Sequence, residues 1–190
     1  MPYLLMRISI KGRKFSFVQA FALVLYYGVA KNLRAKRTGK ALRCWCGRKL
    51  FKKCGTTFNI ERGAVFGCGL DIEIGEHSAI GIHAVIPSDT IIGAEVMMGP
   101  NCYILARNHR FDRLDIPMKR QGYFEEKRTV IEDDVWIGRN VTMTPGRTIR
   151  KGTVIGACTV LTKDFPEYSI VAGNPSRLIG SRIPEKENQA

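Results

Sequence analysis

The sequence predicts an all-β domain in which short parallel strands wind into a coil with three strands per turn, preceded by a helical extension. This prediction depends on a six-residue period of aliphatic residues, one long interruption of that period, and an N-terminal segment of different composition. The hydrophobic content of 45% is typical of a folded protein. A length of 190 residues suits one domain with an appendage.

An aliphatic residue or Met recurs at every sixth position in two blocks of the chain. The blocks hold Ile74, Ile80, Ile86, Ile92, Met98 and Ile104, and then Ile131, Ile137, Met143, Ile149, Ile155 and Leu161. Two earlier hexads begin at Ile60 and Phe66, out of phase with Ile74 by two residues. The period fits a coil of about 18 residues per turn, in which each aliphatic side chain points inward and stacks on its equivalent about 4.8 Å away.

Small residues accompany the aliphatic positions. Glycine follows directly at Gly75, Gly81, Gly93 and Gly99. We expect these glycines to relieve the backbone at the corners of the coil, where positive φ angles favour glycine. Four places after most aliphatic positions stands a small or β-branched residue, and Arg147 and Phe165 break this rule.

The positive charge is confined to the N-terminal segment. Residues 1–60 hold fourteen Lys or Arg and no Asp or Glu, whereas the remainder holds sixteen basic and seventeen acidic residues, so +14 and −1 make the net charge of +13. Such a segment attracts anionic lipid or nucleic acid. Because no aromatic-and-basic nucleic-acid motif follows it, we expect an anionic membrane surface and no nucleic acid as partner.

Residues Phe15 to Ala30 form an uncharged apolar run with basic residues on both sides. A helix of this length spans about 24 Å, less than the roughly 30 Å of a bilayer core. Two interpretations stay open: a helix packed on the main domain or an oligomer partner, and a peripheral membrane contact. Since no cleavable signal is recognised, we predict a cytoplasmic protein, which under the second interpretation contacts the inner face of the membrane peripherally.

The six cysteines do not form a convincing ligand set. Cys44 and Cys46 stand near Cys54, but there is no Cys-x-x-Cys pair and no fourth ligand at the usual spacing. We therefore predict buried, reduced thiols and no metal site.

Four segments carry a resemblance to a known family. They are 131–138 (Ile-Glu-Asp-Asp-Val-Trp-Ile-Gly), 154–157 (Val-Ile-Gly-Ala), 161–164 (Leu-Thr-Lys-Asp) and 171–175 (Val-Ala-Gly-Asn-Pro). With them, residues 59–179 resemble the hexapeptide-repeat acyltransferases, in the branch of galactoside, maltose and exopolysaccharide O-acetyltransferases. The resemblance implies a left-handed parallel β-helix prism, a homotrimer with active sites between subunits, and acetyl-CoA as co-substrate.

The chain is accordingly divided into three parts. Residues 1–55 form the basic helical segment, residues 56–180 the β-helix domain with a protruding loop at 105–130, and residues 181–190 a C-terminal tail.

The loop carries the predicted catalytic residue. Acyl transfer from a thioester to a hydroxyl needs a base of near-neutral pKa, which histidine supplies. His77 and His83 are expected at the surface on different faces of the coil. His109 lies in an Asn-His-Arg-Phe-Asp string similar to the catalytic loop of the family, which implies that it is the general base. For Asp112, orienting His109, contacting the sugar and remaining a solvated carboxylate stay open.

The resemblance also implies residues for the acceptor and the acetyl group. Asn101 matches an asparagine that binds the acceptor sugar, although it is equally a turn residue type. Trp136 matches a tryptophan that borders the acetyl group, and interface packing is compatible with that role. Arg139 stands where some members have a serine that holds the oxyanion, so this chain needs a backbone N–H or the arginine charge there.

Coenzyme A is expected in the groove between two prisms. By resemblance, backbone groups at Gly156 and Ala157 contact the pantetheine, Thr162 and Lys163 contact phosphate, and Arg177 supplies a C-terminal positive charge.

The predicted function is acetyl transfer from acetyl-CoA to a hydroxyl of a sugar in a capsular polysaccharide, exopolysaccharide or other glycan precursor. Alternatives are a sugar N-acetyltransferase of the same fold and a non-catalytic β-helix scaffold. A zinc hydratase of the γ-carbonic anhydrase kind is disfavoured, because it needs histidines that face one interface.

Overall fold

The fold is described from a computed structural model, for residues 8–10, 13–34 and 36–184. The predicted tail at 181–190 and the first part of the basic segment therefore lie partly outside the described residues.

The N-terminal segment contains a hairpin and two helices. Strands β1 (Ile8–Ile10) and β2 (Arg13–Phe15) pair antiparallel and lead into helix α1 (Phe17–Gly28). A capping box starts α1: the Ser16 hydroxyl accepts from the Gln19 N–H at 3.2 Å, and the Gln19 side chain accepts from the Ser16 N–H at 3.0 Å. A short 3-10 helix (Ala30–Asn32) connects α1 to helix α2 (Lys36–Leu50).

One side of α1 packs on the first turn of the coil. The Tyr26 hydroxyl is buried and donates to the Ala64 carbonyl at 2.9 Å, and its ring centroid lies 4.5 Å from that of Phe66. Burial raises the pKa of Tyr26. From α2, the buried Arg43 donates to the Ile60 carbonyl at 2.7 Å. The packing expected for residues 15–30 is thus observed for this side of the helix.

Residues 53–181 form a three-sided prism, and each face is a stack of short strands. Face 1 contains β3 (Lys53–Cys54), β5 (Glu73–Ile74), β7 (Ile91–Ile92), β10 (Val130–Ile131) and β13 (Thr148–Ile149). Face 2 contains β4 (Asn59–Ile60), β6 (Ala79–Ile80), β8 (Met97–Met98), β11 (Trp136–Ile137), β14 (Val154–Ile155), β16 (Ser169–Ala172) and the antiparallel β17 (Arg177–Ser181). Face 3 contains β9 (Tyr103–Ile104), β12 (Thr142–Met143) and β15 (Val160–Leu161).

The aliphatic positions form the core of the prism, as predicted. All twelve hexad residues between Ile74 and Leu161 are buried, and equivalent residues pair in parallel one turn apart. Ile131 pairs with Ile149, eighteen residues on. Ile60 pairs with Ile80, twenty residues on, which explains why the earliest hexads are out of phase.

The expected role of the glycines was wrong. Positive φ occurs three places after the aliphatic residue instead, at non-glycine residues His77, His83, Glu95, Asn101, Asp134, Asn140 and Cys158. The glycine that directly follows the aliphatic residue allows the backbones of successive turns to approach closely. A Cβ on Gly75 would lie 2.5 Å from the backbone nitrogen of Ala94, and one on Gly81 would lie 2.3 Å from the carbonyl oxygen of Gly99.

The three edges of the prism are called corner 1–2, corner 2–3 and corner 3–1, after the faces they join. His77 lies at corner 1–2 and His83 at corner 2–3, and both are exposed, so their predicted separation is confirmed.

The cysteines are only partly buried. The predicted burial holds for Cys44, Cys46 and Cys102, and is wrong for Cys158, which is exposed because corner 2–3 places it outside the core. Burial raises the pKa of Cys46 and of Cys102 to about 11. No helix in the described part of the chain is long and apolar enough to cross a membrane.

Candidate active site

A loop leaves the prism at corner 3–1, between β9 and β10. Its two arms pair with each other: the Arg110 N–H donates to the Gly122 carbonyl and the Phe124 N–H to the Asn108 carbonyl, both at 3.0 Å. Between these bonds lies an antiparallel bridge of His109 with Tyr123. The predicted interruption of the repeat is therefore an ordered arm that presents His109 at a fixed place.

The imidazole of His109 is exposed and packs on the ring of Tyr123. The two ring centroids lie 4.2 Å apart, with the planes tilted by 34°. The Arg107 guanidinium lies 4.1 Å from the centroid of the Tyr123 ring and 3.8 Å from a carboxylate oxygen of Glu126. Tyr123 thus contacts the imidazole on one side, and among the described residues no hydrogen bond occupies its ring nitrogens.

Asp112 pairs with Arg110 in this structure. The guanidinium donates to both carboxylate oxygens, at 3.1 and 2.5 Å, and this hydrogen bonding lowers the pKa of Asp112. Both side chains are exposed, so the pair contributes little to stability. In the single chain Asp112 contacts Arg110 and makes no hydrogen bond to His109.

Trp136 lies on face 2, in β11 between β8 and β14. Its neighbour Ile137 points into the core, so the tryptophan points outward and is 53% exposed. The adjacent Met97 is also exposed. Face 2 therefore presents an apolar platform on the outside of the prism.

Asn101 lies at corner 2–3 with a φ of 59°. Its side-chain amide donates to the Asn140 carbonyl oxygen at 3.1 Å, one turn further along the same edge. Gly156, which is half-buried, and the exposed Ala157 lie beside this region. Ala157 precedes Cys158 on the same corner, and the Gly156 N–H donates to the Val171 carbonyl at 2.8 Å.

The residues predicted for phosphate contact lie apart from this region. Thr162 and Lys163 follow β15 at the end of face 3, and both are exposed. The Lys163 ammonium lies 5.4 Å from the centroid of the Phe165 ring. Arg177 is exposed at the start of β17, which belongs to face 2.

Two groups of predicted site residues lie on different sides of the prism, and Asn101, Gly156 and Ala157 lie between them at corner 2–3. Face 2 lies opposite corner 3–1 in a three-sided coil, so Trp136 and Arg177 lie away from the loop with His109 and from Lys163. Within the described ranges, no hydrogen bond, ion pair or ring contact joins His109 to Trp136, Asn101 or Lys163. One chain alone does not bring the two groups together.

Tyr123 and Arg107 were not singled out from the sequence. The sequence feature that could have pointed to Tyr123 is the Gln-Gly-Tyr string near the end of the loop. Tyr123 is fourteen residues after His109, and only the pairing of the two arms brings its ring to the imidazole. Among residues 8–10, 13–34 and 36–184, no group of three or more His, Cys, Asp or Glu side chains is arranged to hold a metal.

Comparisons with known proteins agree with this architecture. A family model described as bacterial transferase hexapeptide (six repeats) matches residues 128–163. The Saccharomyces cerevisiae protein YJL218W, whose name places it among acetyltransferases, is 34% identical over 143 residues, covering 74% of this chain and 71% of that protein. Galactoside O-acetyltransferase of Escherichia coli is 30% identical over 134 residues, covering 70% and 64%.

A solved structure agrees as well. The hexapeptide-repeat acetyltransferase of Vibrio cholerae, complexed with acetyl coenzyme A, matches with a TM-score of 0.73 and 28% identity, covering 88% of each chain. The prism is therefore a left-handed parallel β-helix of the acyltransferase class, as the resemblance implied. The chain belongs to the hexapeptide-repeat acetyltransferases.

Proposed function

We propose that the protein transfers the acetyl group of acetyl-CoA to a hydroxyl of a sugar. The observation that carries this proposal is the presentation of an exposed histidine on an ordered arm, in contact with Tyr123 and with no hydrogen bond to its ring nitrogens among the described residues. The names of the relatives support the reaction type: one is a galactoside O-acetyltransferase, and a structural neighbour was complexed with acetyl coenzyme A.

His109 acts as the general base in this proposal. Its imidazole takes the proton of the sugar hydroxyl while the oxygen attacks the thioester carbonyl. The tetrahedral oxyanion then collapses, the carbon–sulfur bond breaks, and the imidazolium returns the proton to the leaving CoA thiolate. A backbone N–H or the charge of the exposed Arg139 stabilises the oxyanion. Neither a metal nor a covalent enzyme intermediate takes part.

The active site forms between subunits of a homotrimer. Because His109 and Trp136 lie on opposite sides of one prism, a site that contains both needs two chains. In such a site the loop of one subunit faces the apolar platform of Trp136 on its neighbour, and Asn101 contacts the acceptor sugar. The Asp112 carboxylate contacts the same sugar, either after separating from Arg110 or as part of the Asp112–Arg110 pair.

Coenzyme A lies along the groove between two prisms. Trp136 borders the acetyl group, and backbone groups at Gly156 and Ala157 contact the pantetheine. The exposed Thr162, Lys163 and Arg177 meet the phosphates, where positive charge is complementary to the ligand.

The acceptor is a capsular polysaccharide, exopolysaccharide or other glycan precursor at a membrane. The basic N-terminal segment supports this choice, because fourteen basic and no acidic residues at 1–60 complement an anionic lipid surface. The protein then works in the cytoplasm, at the inner face of the membrane.

Thiol release from acetyl-CoA tests the proposal. We expect release that depends on a sugar acceptor in a panel of galactosides, maltose and an amino sugar. The substitution His109→Ala should lower kcat by about 10²- to 10⁴-fold. The exposed His83 provides the matched control, His83→Ala, which should keep the wild-type rate.

Three outcomes contradict the proposal or redirect it. Full activity in His109→Ala would remove the mechanism. Release with the amino sugar alone would make the protein an N-acetyltransferase. Absence of release with every acceptor would favour a scaffold without catalysis.

A further inference from the structure

Helix α1 has two apolar sides, and only one of them is buried. Ala22 and Tyr26 face the first turn of the prism and the second helix. On the opposite side, Phe17, Phe21 and Val24 are 63%, 53% and 71% exposed. These positions are four and three residues apart, so their side chains form one stripe along the helix.

This stripe differs from an ordinary exposed helix face. The free side of a surface helix is normally polar. From Phe15 to Ala30, however, the chain has no charged residue, and the neighbouring Val18 and Val29 are also exposed. A contiguous exposed apolar surface of this kind marks a docking site.

Basic residues flank the helix in sequence. Exposed Lys14 precedes α1, and exposed Arg34 and Arg37 follow it. A cleft that Arg34 lines also contains Lys40, Arg62, the buried Arg43 and one acidic side chain, Glu61. An exposed apolar helix side with exposed basic residues before and after it is complementary to an anionic lipid surface.

A second copy of the chain fits this surface less well. It would bring another basic segment against the first, since residues 1–60 sum to +14, and the prism residues at 61–190 sum to only −1. Like charges at close range are repulsive. The charge distribution therefore favours lipid over self-association through α1.

The dimensions of the helix specify how it meets a bilayer. Twelve residues make a helix of about 18 Å, which is too short to span the roughly 30 Å hydrocarbon core. Because Tyr26 anchors the inner side to Ala64, the helix stays attached to the prism and only its outer side reaches the lipid. This geometry suits a helix that lies in the interface plane.

We propose that the exposed stripe of α1 is a docking surface for an anionic bilayer. Phe17, Phe21 and Val24 enter the boundary between headgroups and acyl chains, and the flanking basic residues contact the headgroups. The inference deepens the membrane contact proposed above and does not require that the protein transfer acetyl groups.

Co-sedimentation of the full chain with vesicles tests this surface. We expect binding to vesicles of phosphatidylglycerol and phosphatidylcholine, weakened by high salt, and little binding to phosphatidylcholine alone. The variant Phe17→Ser/Phe21→Ser/Val24→Ser should bind roughly 100-fold more weakly. The matched control Ile179→Ser/Ile183→Ser changes two side chains that are 65% and 58% exposed elsewhere, and should bind like the wild type.

The outcomes against the proposal are distinct from one another. The proposal would be overturned if the wild-type protein did not bind anionic vesicles, or if the triple variant bound them as strongly as the wild type does. A triple variant whose mass in solution falls would assign the stripe to a second copy of the chain. If the triple variant does not fold, Val24→Asp at the most exposed position gives the same test. Thiol release from acetyl-CoA is measured for the same proteins. This measurement distinguishes a variant that has lost lipid binding alone from one that has also lost acetyl transfer.

Discussion

At the residue scale, the contact between His109 and Tyr123 defines how the proposed base is held. The imidazole has no carboxylate partner in the chain as described, so its orientation depends on the tyrosine ring and on the backbone bridge beneath it. Tyr123 is therefore a positioning residue, and its effect should appear in the rate and not in substrate binding.

A pair of substitutions tests this role. Tyr123→Leu removes the ring that supports the imidazole and should lower kcat by roughly 10- to 100-fold, because small misplacements of a catalytic group cost that much. Tyr123→Phe keeps the ring and should retain most of the activity. Steady-state kinetics should give an unchanged KM for acetyl-CoA in both variants. A Tyr123→Leu protein with the wild-type kcat would show that the stack is incidental.

The sequence predicts His109 as the base, which stays a prediction, but its contact with Tyr123 could not be predicted. Histidine is the side chain suited to the chemistry, and its place in a break of the repeat made it distinctive. Tyr123 becomes its neighbour only because residues 108–110 pair with residues 122–124 across a loop, and no periodicity governs that pairing.

At the scale of the elements, glycine sets the spacing between successive turns of the coil. Gly75→Ala should lower the free energy of unfolding by about 1–3 kcal/mol, because its Cβ would lie 2.5 Å from the backbone nitrogen of Ala94. Gly28→Ala is the control, since a Cβ there would meet nothing within 4 Å. Denaturant unfolding of both variants measures the difference. If Gly75→Ala were as stable as Gly28→Ala, the turns of the coil could move apart without loss of free energy of unfolding.

A carboxylate fixes the connection between β3 and β4. Glu76 accepts from the Thr57 hydroxyl at 2.6 Å and from the backbone N–H groups of Thr56 and Thr57 at 2.8 and 3.0 Å. These hydrogen bonds, above all that from the Thr57 side chain, lower the pKa of Glu76 to about 2.

The lowered pKa predicts a pH-dependent stability. A carboxylate whose pKa is lower in the folded state stabilises the fold above its unfolded pKa, near 4.5, and this contribution is lost as pH falls toward 2. Glu76→Gln should therefore melt below the wild type at pH 7, with the two melting temperatures converging in acid. Glu125→Gln, at an exposed loop carboxylate, is the control. A constant gap across this pH range would contradict the assignment.

The elements also show where sequence reasoning succeeded and where it failed. The hexad period predicted which side chains form the core, because burial must repeat with the backbone. It did not predict where φ turns positive: these positions are occupied by residues such as His77, Asn101 and Asp134, and by glycine at positions such as Gly146 and Gly152. Close approach and positive φ both select glycine, so the residue type alone could not separate them.

At the scale of the whole molecule, the prism separates the two halves of the proposed site. The loop leaves at corner 3–1, whereas Trp136 lies on face 2, which is opposite. The resemblance implied a site between subunits, but the hexad period alone could not predict which face carries Trp136, because that depends on the twenty-residue first turn and on where the loop leaves the coil. Under the proposed function, this separation makes assembly a condition of activity, since a monomer would hold the proposed base and the tryptophan apart.

Mixed trimers test this account most directly. Chains carrying His109→Ala and chains carrying Trp136→Ala should each form trimers with strongly reduced activity. When the two are co-expressed with different tags and purified through both, every mixed trimer should contain one site with a wild-type histidine and a wild-type tryptophan, and recover about one third of the wild-type rate. Recovery of this size is the predicted result. A mixed trimer no more active than its parents would show that the site does not combine His109 of one subunit with Trp136 of the next.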